Sequence, residues 1–132
     1  MQLDWQNAFN SLSREAMLDA VARRQPPMLP FAAWTYRQPA RLYLDGMPVG
    51  TPPVMSERGV RQGDPCGALY FALYTQDMLE EVSRAHPDAQ PLAYADDTTL
   101  QGTVPGILAA FPDIQARGEA IGLSFRLGKC GV

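Results

Sequence analysis

The sequence predicts an α+β fold in which hairpins pack under helices, and three observations predict it. The chain has 132 residues, which is enough for one domain spanning 1–132. Hydrophobic residues make up 46 % and charged residues 19 %, as in folded globular proteins. Helical and alternating apolar patterns follow one another in the order βαα-ββ-α-ββ-α-β.

One strand and two helices are predicted at the start of the chain. Residues 1–5 are expected to be the end of a strand. A helix follows, because Ser13 is a typical N-cap residue and apolar residues recur at helical spacing until two prolines stop the helix. A shorter helix is predicted over residues 29–37, which two further prolines bound.

A hairpin is predicted after these helices. Residues 40–44 are expected to form a strand, with Leu42 and Leu44 on one face. Asp45-Gly46 is a typical two-residue hairpin turn. Three prolines interrupt the returning arm, so we expect an edge or irregular strand there, because proline cannot donate to a ladder.

The longest predicted helix lies in the middle of the chain. Asp64 is expected to cap it, Pro65 to occupy its first position, and the helix to end near residue 83. Its apolar face is expected to consist of Ala68, Leu69, Ala72, Leu73 and Leu79.

A second hairpin, a helix and a strand are predicted to complete the chain. Residues 92–95 are expected to form a short buried strand, Asp96-Asp97 the turn, and residues 98–100 the returning arm. The last helix is predicted over 104–121, kinked or restarted at its internal proline, and residues 123–127 alternate as in a strand.

Composition excludes several classes of function. The net charge of −3 argues against a nucleic-acid-binding surface on this chain alone. Cys66 and Cys130 fit neither a metal-ligand spacing nor a disulfide framework, which favours an intracellular location, in nucleus or cytoplasm alike. With one histidine, neither a zinc site nor His-based catalysis is expected. No apolar run approaches the roughly 20 residues that span a bilayer, so no membrane partner is expected.

Two placements of acidic residues suggest chemistry. Asp4 ends a strand, and Asp96-Asp97 lies at the turn of an otherwise apolar hairpin. If the two strands are neighbours, the carboxylates come within a few ångströms, and a divalent cation would relieve their repulsion. The alternative is that Asp-Asp only forms a turn, where aspartate is common.

Four motifs resemble those of reverse transcriptases. Residues 94–97 (YADD) resemble the family's Y-x-D-D box, and residues 4–10 (DWQNAFN) resemble its first catalytic motif. Residues 59–65 (GVRQGDP) resemble the motif that opens the template-gripping helix. Residues 122–129 resemble the G-L-x-[LF]-N-x-x-K element, with Arg126 in place of asparagine. The A-F-N and R-Q-G-D-P forms look most like the non-LTR (LINE-type) retrotransposon branch, with group II intron enzymes as a near relative.

The resemblance implies an RNA-directed DNA polymerase palm, a small antiparallel sheet packed on helices. It implies Asp4 and Asp96 as the principal ligands of two Mg²⁺ ions, with Mn²⁺ as a possible substitute and Asp97 as a supporting carboxylate. Two such ions activate an attacking 3′-hydroxyl and stabilise the leaving pyrophosphate.

Six further residues receive substrate roles from the resemblance. Phe9 would be a steric gate against the ribose 2′-hydroxyl, and it also fits a buried core position. Lys129 would protonate or neutralise the pyrophosphate, although an exposed lysine needs no such role. Gln62 and Gly63 would lie against the template and the incoming nucleotide. Arg61 would meet a phosphate or stay in solvent. Tyr94 would pack beneath the primer end.

The resemblance also implies partners and missing parts. An RNA template, a DNA primer and deoxynucleoside triphosphates would bind the intact enzyme. The fingers and thumb of such an enzyme have no counterpart here, so we expect a fragment that is inactive in isolation. Two alternatives stay open: a non-catalytic remnant of a retroelement, and a ferredoxin-like binding module in which Asp4 lies far from Asp96.

Overall fold

The computed structural model describes residues 1–43 and 45–131 and confirms the α+β class. Within these residues the strands are β1 (Gln2–Asp4), β2 (Ala40–Leu42), β3 (Val54–Ser56), β4 (Ala89–Tyr94) and β5 (Asp97–Gly102). The helices are α1 (Ala8–Ser11), α2 (Arg14–Arg24), α3 (Leu29–Tyr36), α4 (Gly67–Ala85) and α5 (Val104–Ala120). Short 3₁₀ turns lie at Pro26–Met28 and Leu127–Lys129. Among the helices of the described residues, none has the length and apolar character needed to cross a membrane.

The main sheet is antiparallel, with the strand order β1-β5-β4. β5 pairs with β4 along its whole length and with β1 through its first three residues. On its other side, β1 bonds to the C-terminal segment: the Arg126 N–H donates to the Asp4 carbonyl at 2.8 Å, and the Gln2 N–H to the Gly131 carbonyl at 2.7 Å. β1 is therefore held by backbone hydrogen bonds on both sides, and the Asp4 backbone bonds to the C-terminal segment.

One face of the main sheet packs against α4 and α5. Leu3 of β1 and both Thr98 and Leu100 of β5 point into this core and are at most 2 % exposed. Because successive side chains of a strand point to opposite faces, Asp4 and Asp97 lie on the other face, away from the helices. The sheet thus presents its acidic residues on its open side.

The N-terminal motif is tied into this core. The Trp5 ring stacks on Phe125 with centroids 3.9 Å apart, and its Nε1–H donates to the Thr98 hydroxyl at 2.9 Å. Ser13 caps α2 as predicted, since its hydroxyl accepts from the Ala16 N–H at 3.4 Å. The one-turn helix α1 before it was missed by the sequence analysis.

The predicted final strand over residues 123–127 is wrong. Only Phe125 forms a β-bridge, to Trp5, and a 3₁₀ turn follows at once. Leu123 and Phe125 are 1 % and 9 % exposed. The alternating apolar pattern of residues 123–127 therefore reflects the burial of these two side chains and not a continuous ladder of backbone hydrogen bonds.

The hairpin of β4 and β5 differs from its prediction in position and burial. β4 begins at Ala89, earlier than expected, and is exposed over its second half: Leu92 is 55 % exposed and Tyr94 86 %. Leu92 and Tyr94 lie opposite Thr99 and Asp97, on the open face of the sheet, and only Ala89 of β4 is fully buried. The turn lies at Ala95-Asp96, one residue earlier than predicted, and Asp97 already belongs to β5.

The prediction for the first hairpin also needs correction. β2 and β3 pair from Ala40 opposite Ser56 to Leu42 opposite Val54, so residues 43–53 connect them and Asp45-Gly46 is one turn within that connection. As predicted, the returning strand β3 is an edge strand; it has three residues and begins after the last proline, and Leu44 lies outside the described residues.

The helix α4 begins at Gly67, with Cys66 in the N-cap position and turns at residues 62–63 and 65–66 before it, so the prediction that Asp64 caps the helix and Pro65 begins it is wrong. Its predicted apolar face is wrong at Ala68, Leu69 and Ala72, which are exposed, Leu69 by 42 %. Large side chains fill the core instead, and α4 buries Tyr70, Phe71, Leu73, Tyr74, Met78 and Val82. The helix α5 runs unbroken through Pro112.

Candidate active site

The acidic residues of the motifs over residues 4–10 and 94–97 meet at one end of the main sheet. Asp4 is the Cα partner of Asp97 in the antiparallel pair β1 and β5. Side chains directly opposite one another point to the same face, with Cα atoms about 4.5–5.5 Å apart. Asp96 lies in the adjoining turn, next to Ala95, which has a left-handed φ of 55°. The structure therefore brings Asp97, rather than Asp96, directly opposite Asp4.

One cation lies beside this pair. The Lys129 Nζ is 3.9 Å from the Asp4 Oδ2, and the lysine side chain is 60 % exposed against 33 % for that of Asp4. The 3₁₀ turn that replaces the predicted final strand carries Lys129 to this position. No group of three or more histidine, cysteine, aspartate or glutamate side chains suited to a metal ion lies within the described residues.

A cavity of about 420 Å³ joins three of the four motifs, those over residues 4–10, 59–65 and 94–97. Its walls are Phe9 of α1, the turn over residues 61–64, the start of α4 at Gly67 and Ala68, and Asp96. Asp4, Asp97 and Lys129 are not part of this lining. The predicted site residues therefore form two groups: the residues that line this cavity, and the cluster of Asp4, Asp97 and Lys129. The two groups adjoin because Asp96 of the first precedes Asp97 of the second in the chain. Tyr94 belongs to neither group; it is exposed and not packed.

Phe9 is held between the core and this cavity. Its ring lies 4.8 Å from that of Phe71, and its carbonyl accepts from the Val60 N–H at 2.8 Å. A Cβ added to Gly59 would come within 2.5 Å of the Phe9 carbonyl oxygen and the Asn10 Cα. Gly59 therefore permits the backbones of the motifs over residues 4–10 and 59–65 to pack directly against each other.

Gly63 allows the turn that lines the cavity. The Asp64 N–H donates to the Arg61 carbonyl at 3.2 Å, which closes a four-residue turn with Gly63 in its third position. Its φ of +88° is typical of a type II turn, where glycine is favoured. A Cβ at Gly63 would meet nothing within 4 Å, so backbone conformation, and not crowding in this chain, requires the glycine.

Tyr36 holds this turn from below and was missed by the sequence analysis. Its hydroxyl accepts from the Arg61 N–H at 3.0 Å and donates to the Asp64 carboxylate. The side chain is 1 % exposed; burial, and then the Asp64 hydrogen bond, raise the pKa of Tyr36 to about 12. Asp64 also accepts from the Cys66 N–H at 2.8 Å, so it caps the turns before α4.

Arg14 is the second missed residue. It is 7 % exposed and donates to the carbonyls of Gly59 at 2.9 Å and Ser56 at 2.7 Å. Its guanidinium lies 5.3 Å from the centre of the Tyr36 ring, and burial lowers the pKa of Arg14. Arg14 and Tyr36 together fix the approach to the cavity. The sequence shows only an arginine directly after the N-cap residue Ser13, which indicates neither its burial nor its partners.

Comparison with known proteins gives the family. The whole chain, residues 1–132, matches the family described as reverse transcriptase (RNA-dependent DNA polymerase). It is 30 % identical, over 141 residues and 97 % of its length, to the retrovirus-related Pol polyprotein from type-1 retrotransposable element R2 of Nasonia vitripennis. It is 34 % identical, over 102 residues and 74 % of its length, to the retrotransposable element SLACS 132 kDa protein of Trypanosoma brucei gambiense.

The chain spans only 13 % and 8 % of these two relatives. Both are retrotransposable-element proteins, and they confirm the resemblance to the non-LTR branch that the motifs predicted. Since the family match covers every residue, the chain belongs to the reverse transcriptase (RNA-dependent DNA polymerase) family.

Proposed function

We propose that this chain is the palm of an RNA-directed DNA polymerase that acts within a longer protein. The observation that carries the proposal is the cavity of about 420 Å³ whose walls come from three of the four motifs, with Phe9, Gln62 and Asp96 among them. Residues far apart in the chain, each matching a family motif, line the same space. An RNA template, a DNA primer and deoxynucleoside triphosphates are the partners that this proposal implies.

The proposed cofactor is Mg²⁺, with the facing pair Asp4 and Asp97 as its principal ligands and Asp96 in the adjoining turn as a supporting carboxylate. Mg²⁺ in polymerases is bound by one or two carboxylates together with waters and substrate phosphates, so a facing carboxylate pair fits it without a larger protein cage. When bound, two such ions activate the primer 3′-hydroxyl and stabilise the leaving pyrophosphate. The exposure of Asp96 and Asp97 and the half-buried position of Asp4 leave room for phosphate ligands.

The remaining site residues bind and orient substrates in this proposal. The Phe9 ring, packed on Phe71, forms a rigid wall that excludes a ribose 2′-hydroxyl. Gln62 and Gly63 present a turn of fixed shape to the nascent base pair. Lys129, beside Asp4, neutralises phosphate charge. Tyr94, exposed on the sheet edge, meets the primer end.

The charge of the chain supports a role within a longer protein. A net charge of −3 disfavours tight binding of nucleic acid by this chain alone, since phosphate contacts need Lys and Arg. We propose that fingers and thumb regions supply the basic surface and that the chain alone extends primers little or not at all. An intracellular location belongs to the same proposal.

The binding-module alternative fits the register poorly. It requires Asp4 to lie far from Asp96, whereas Asp4 lies opposite Asp97, the residue that follows Asp96.

Binding of Mn²⁺ to the folded chain, followed by electron paramagnetic resonance, tests the proposal. The variants Asp4→Asn and Asp97→Asn are expected to weaken Mn²⁺ binding at least about tenfold, because each removes half of the facing pair. Asp19→Asn, which changes an exposed carboxylate on α2, is the matched control and keeps wild-type binding. Circular dichroism checks that every variant is folded. Equal affinity in wild type, Asp4→Asn and Asp97→Asn would overturn the metal site.

A further inference from the structure

A second cavity lies on the other side of the turn over residues 61–64. It measures about 370 Å³ and is lined by Phe31, Trp34 and Thr35 of α3, by the turn itself and by Pro65. The four turn residues line both this cavity and the one that contains Phe9 and Asp96. The two cavities are therefore neighbours that share a wall.

Two aromatic side chains of the second cavity face solvent. Trp34 is 82 % exposed and Phe31 51 %, although α3 buries Ala32 and Tyr36 on its other side. The two exposed rings lie one helical turn apart, with centroids 6.0 Å apart and planes inclined by 37°. An exposed aromatic pair of this kind offers large flat faces that nothing in the described chain covers.

The accessible charge at this cavity is positive. The Arg61 guanidinium donates to the Thr35 carbonyl at 3.3 Å and lies 5.7 Å from the centre of the Tyr36 ring. Asp64 also lines the cavity, but its two carboxylate oxygens accept from Tyr36 and from the Cys66 N–H. The arginine therefore keeps free N–H donors toward solvent, while the nearest carboxylate is bonded inward.

We propose that the second cavity binds an unpaired base of a single nucleic-acid strand, stacked on Trp34 and Phe31, with Arg61 contacting its phosphate. Aromatic faces beside a guanidinium are the chemistry by which proteins hold single strands, since every base has a face to stack. The proposal rests on the proposed function, which places the template strand at the shared turn. The occupant is the template strand, on the side of the turn opposite the cavity that contains Asp96. There the template base has not yet paired with an incoming nucleotide.

The affinity of the full chain for a short, end-labelled oligoadenylate RNA tests the proposal. Fluorescence anisotropy in metal-free buffer with a chelator measures binding without any contribution from the metal site. Trp34→Ala is expected to weaken binding roughly 5- to 150-fold, the range for loss of one base–aromatic stack. Trp34→Phe, which keeps a stacking face, is expected to stay within a few-fold of wild type, and Trp34→Leu to behave like Trp34→Ala.

Two controls separate stacking from other kinds of contact. Tyr43 is 83 % exposed outside this cavity, so Tyr43→Ala is expected to bind as wild type does. Trp5 is 4 % exposed, so quenching of tryptophan fluorescence by the RNA reports on Trp34. An oligonucleotide of the same length without bases is expected to cause no quenching. A DNA strand of the same sequence is expected to show the same loss with Trp34→Ala, because stacking does not need the 2′-hydroxyl.

The outcomes distinguish this proposal from the proposed function. Wild-type affinity in Trp34→Ala, or binding without quenching, would overturn the stacking site and leave the Mn²⁺ result untouched. Trp34→Leu binding as well as wild type would point to an apolar protein contact and would also overturn it. Failure of the wild-type chain to bind RNA overturns the stacking site, while the carboxylate variants decide the metal site separately.

Discussion

Replacing Tyr36 with phenylalanine removes one oxygen atom from beneath the turn that both cavities share. That oxygen accepts from the Arg61 N–H and donates to the Asp64 carboxylate, in a position where Tyr36 is 1 % exposed. The ring itself, which packs edge-on against Tyr70, is unchanged by the substitution. The experiment therefore isolates two hydrogen bonds.

The magnitude follows from the two bonds. A hydrogen bond to a charged group contributes about 1.5–3 kcal/mol to stability, and a neutral one about 0.5–1.5 kcal/mol. Asp64 is half-buried and keeps its bond from the Cys66 N–H, so water recovers part of the loss. We expect Tyr36→Phe to lower the free energy of unfolding by about 2 kcal/mol.

Urea denaturation followed by circular dichroism measures this change, and hydrogen exchange of the Arg61 amide localises it. Tyr70→Phe is the matched control, because the buried Tyr70 hydroxyl has no hydrogen-bond partner within the described residues. Removing an unsatisfied hydroxyl is expected to change stability by less than about 0.5 kcal/mol or to raise it. A Tyr36→Phe variant as stable as wild type, with unchanged Arg61 exchange, would refute the role given to Tyr36.

Two further predictions concern backbone packing and alkaline pH. Gly59→Ala places a Cβ 2.5 Å from the Phe9 carbonyl oxygen at a φ of +72°, so we expect a loss of about 2–4 kcal/mol in urea denaturation. Gly128→Ala, where the Cβ meets nothing within 4 Å, is the control, and equal effects of the two would contradict the packing argument. Burial raises the pKa of both Tyr36 and Tyr70 from 10.0 to about 12. Because the unfolded chain loses these protons first, stability is complete below pH 10 and falls by roughly 2–3 kcal/mol per tyrosine between pH 10 and 12. Ultraviolet difference spectra that show all tyrosines ionising near pH 10, in a chain that circular dichroism shows to be folded, would contradict this.

Local patterns predicted where chain segments are helical or extended but not which neighbours they meet. The helix over residues 29–37 and the cap at Ser13 were predictable, because propensity, prolines and capping act within a few residues. Residues 123–127 show the limit of such patterns. Burial of two alternating side chains looks like a strand whether or not the backbone between them pairs.

The candidate site shows the same division. The motif residues Asp4, Phe9, Arg61, Gln62, Gly63, Asp96 and Asp97 were all identifiable from the sequence. Which acid faces Asp4 depends on where the hairpin turns, and Ala95 enters the left-handed region one residue before the expected turn. A shift of one residue moves a side chain to the opposite face of a strand, so Asp97 came opposite Asp4 only in the folded sheet.

The sequence by itself determined the order of the elements apart from α1 and the wrongly predicted final strand, together with the family and the residue types of the site. Only the tertiary structure decided that Tyr36 supports the turn over residues 61–64, that Arg14 bonds the segment over residues 56–59 before it, and that this turn separates two cavities. Their partners lie 25 or more residues away along the chain, as in the bond from the Arg61 N–H to Tyr36. Contacts over such distances form when burial brings helices together, and no pattern of nearby residues encodes them.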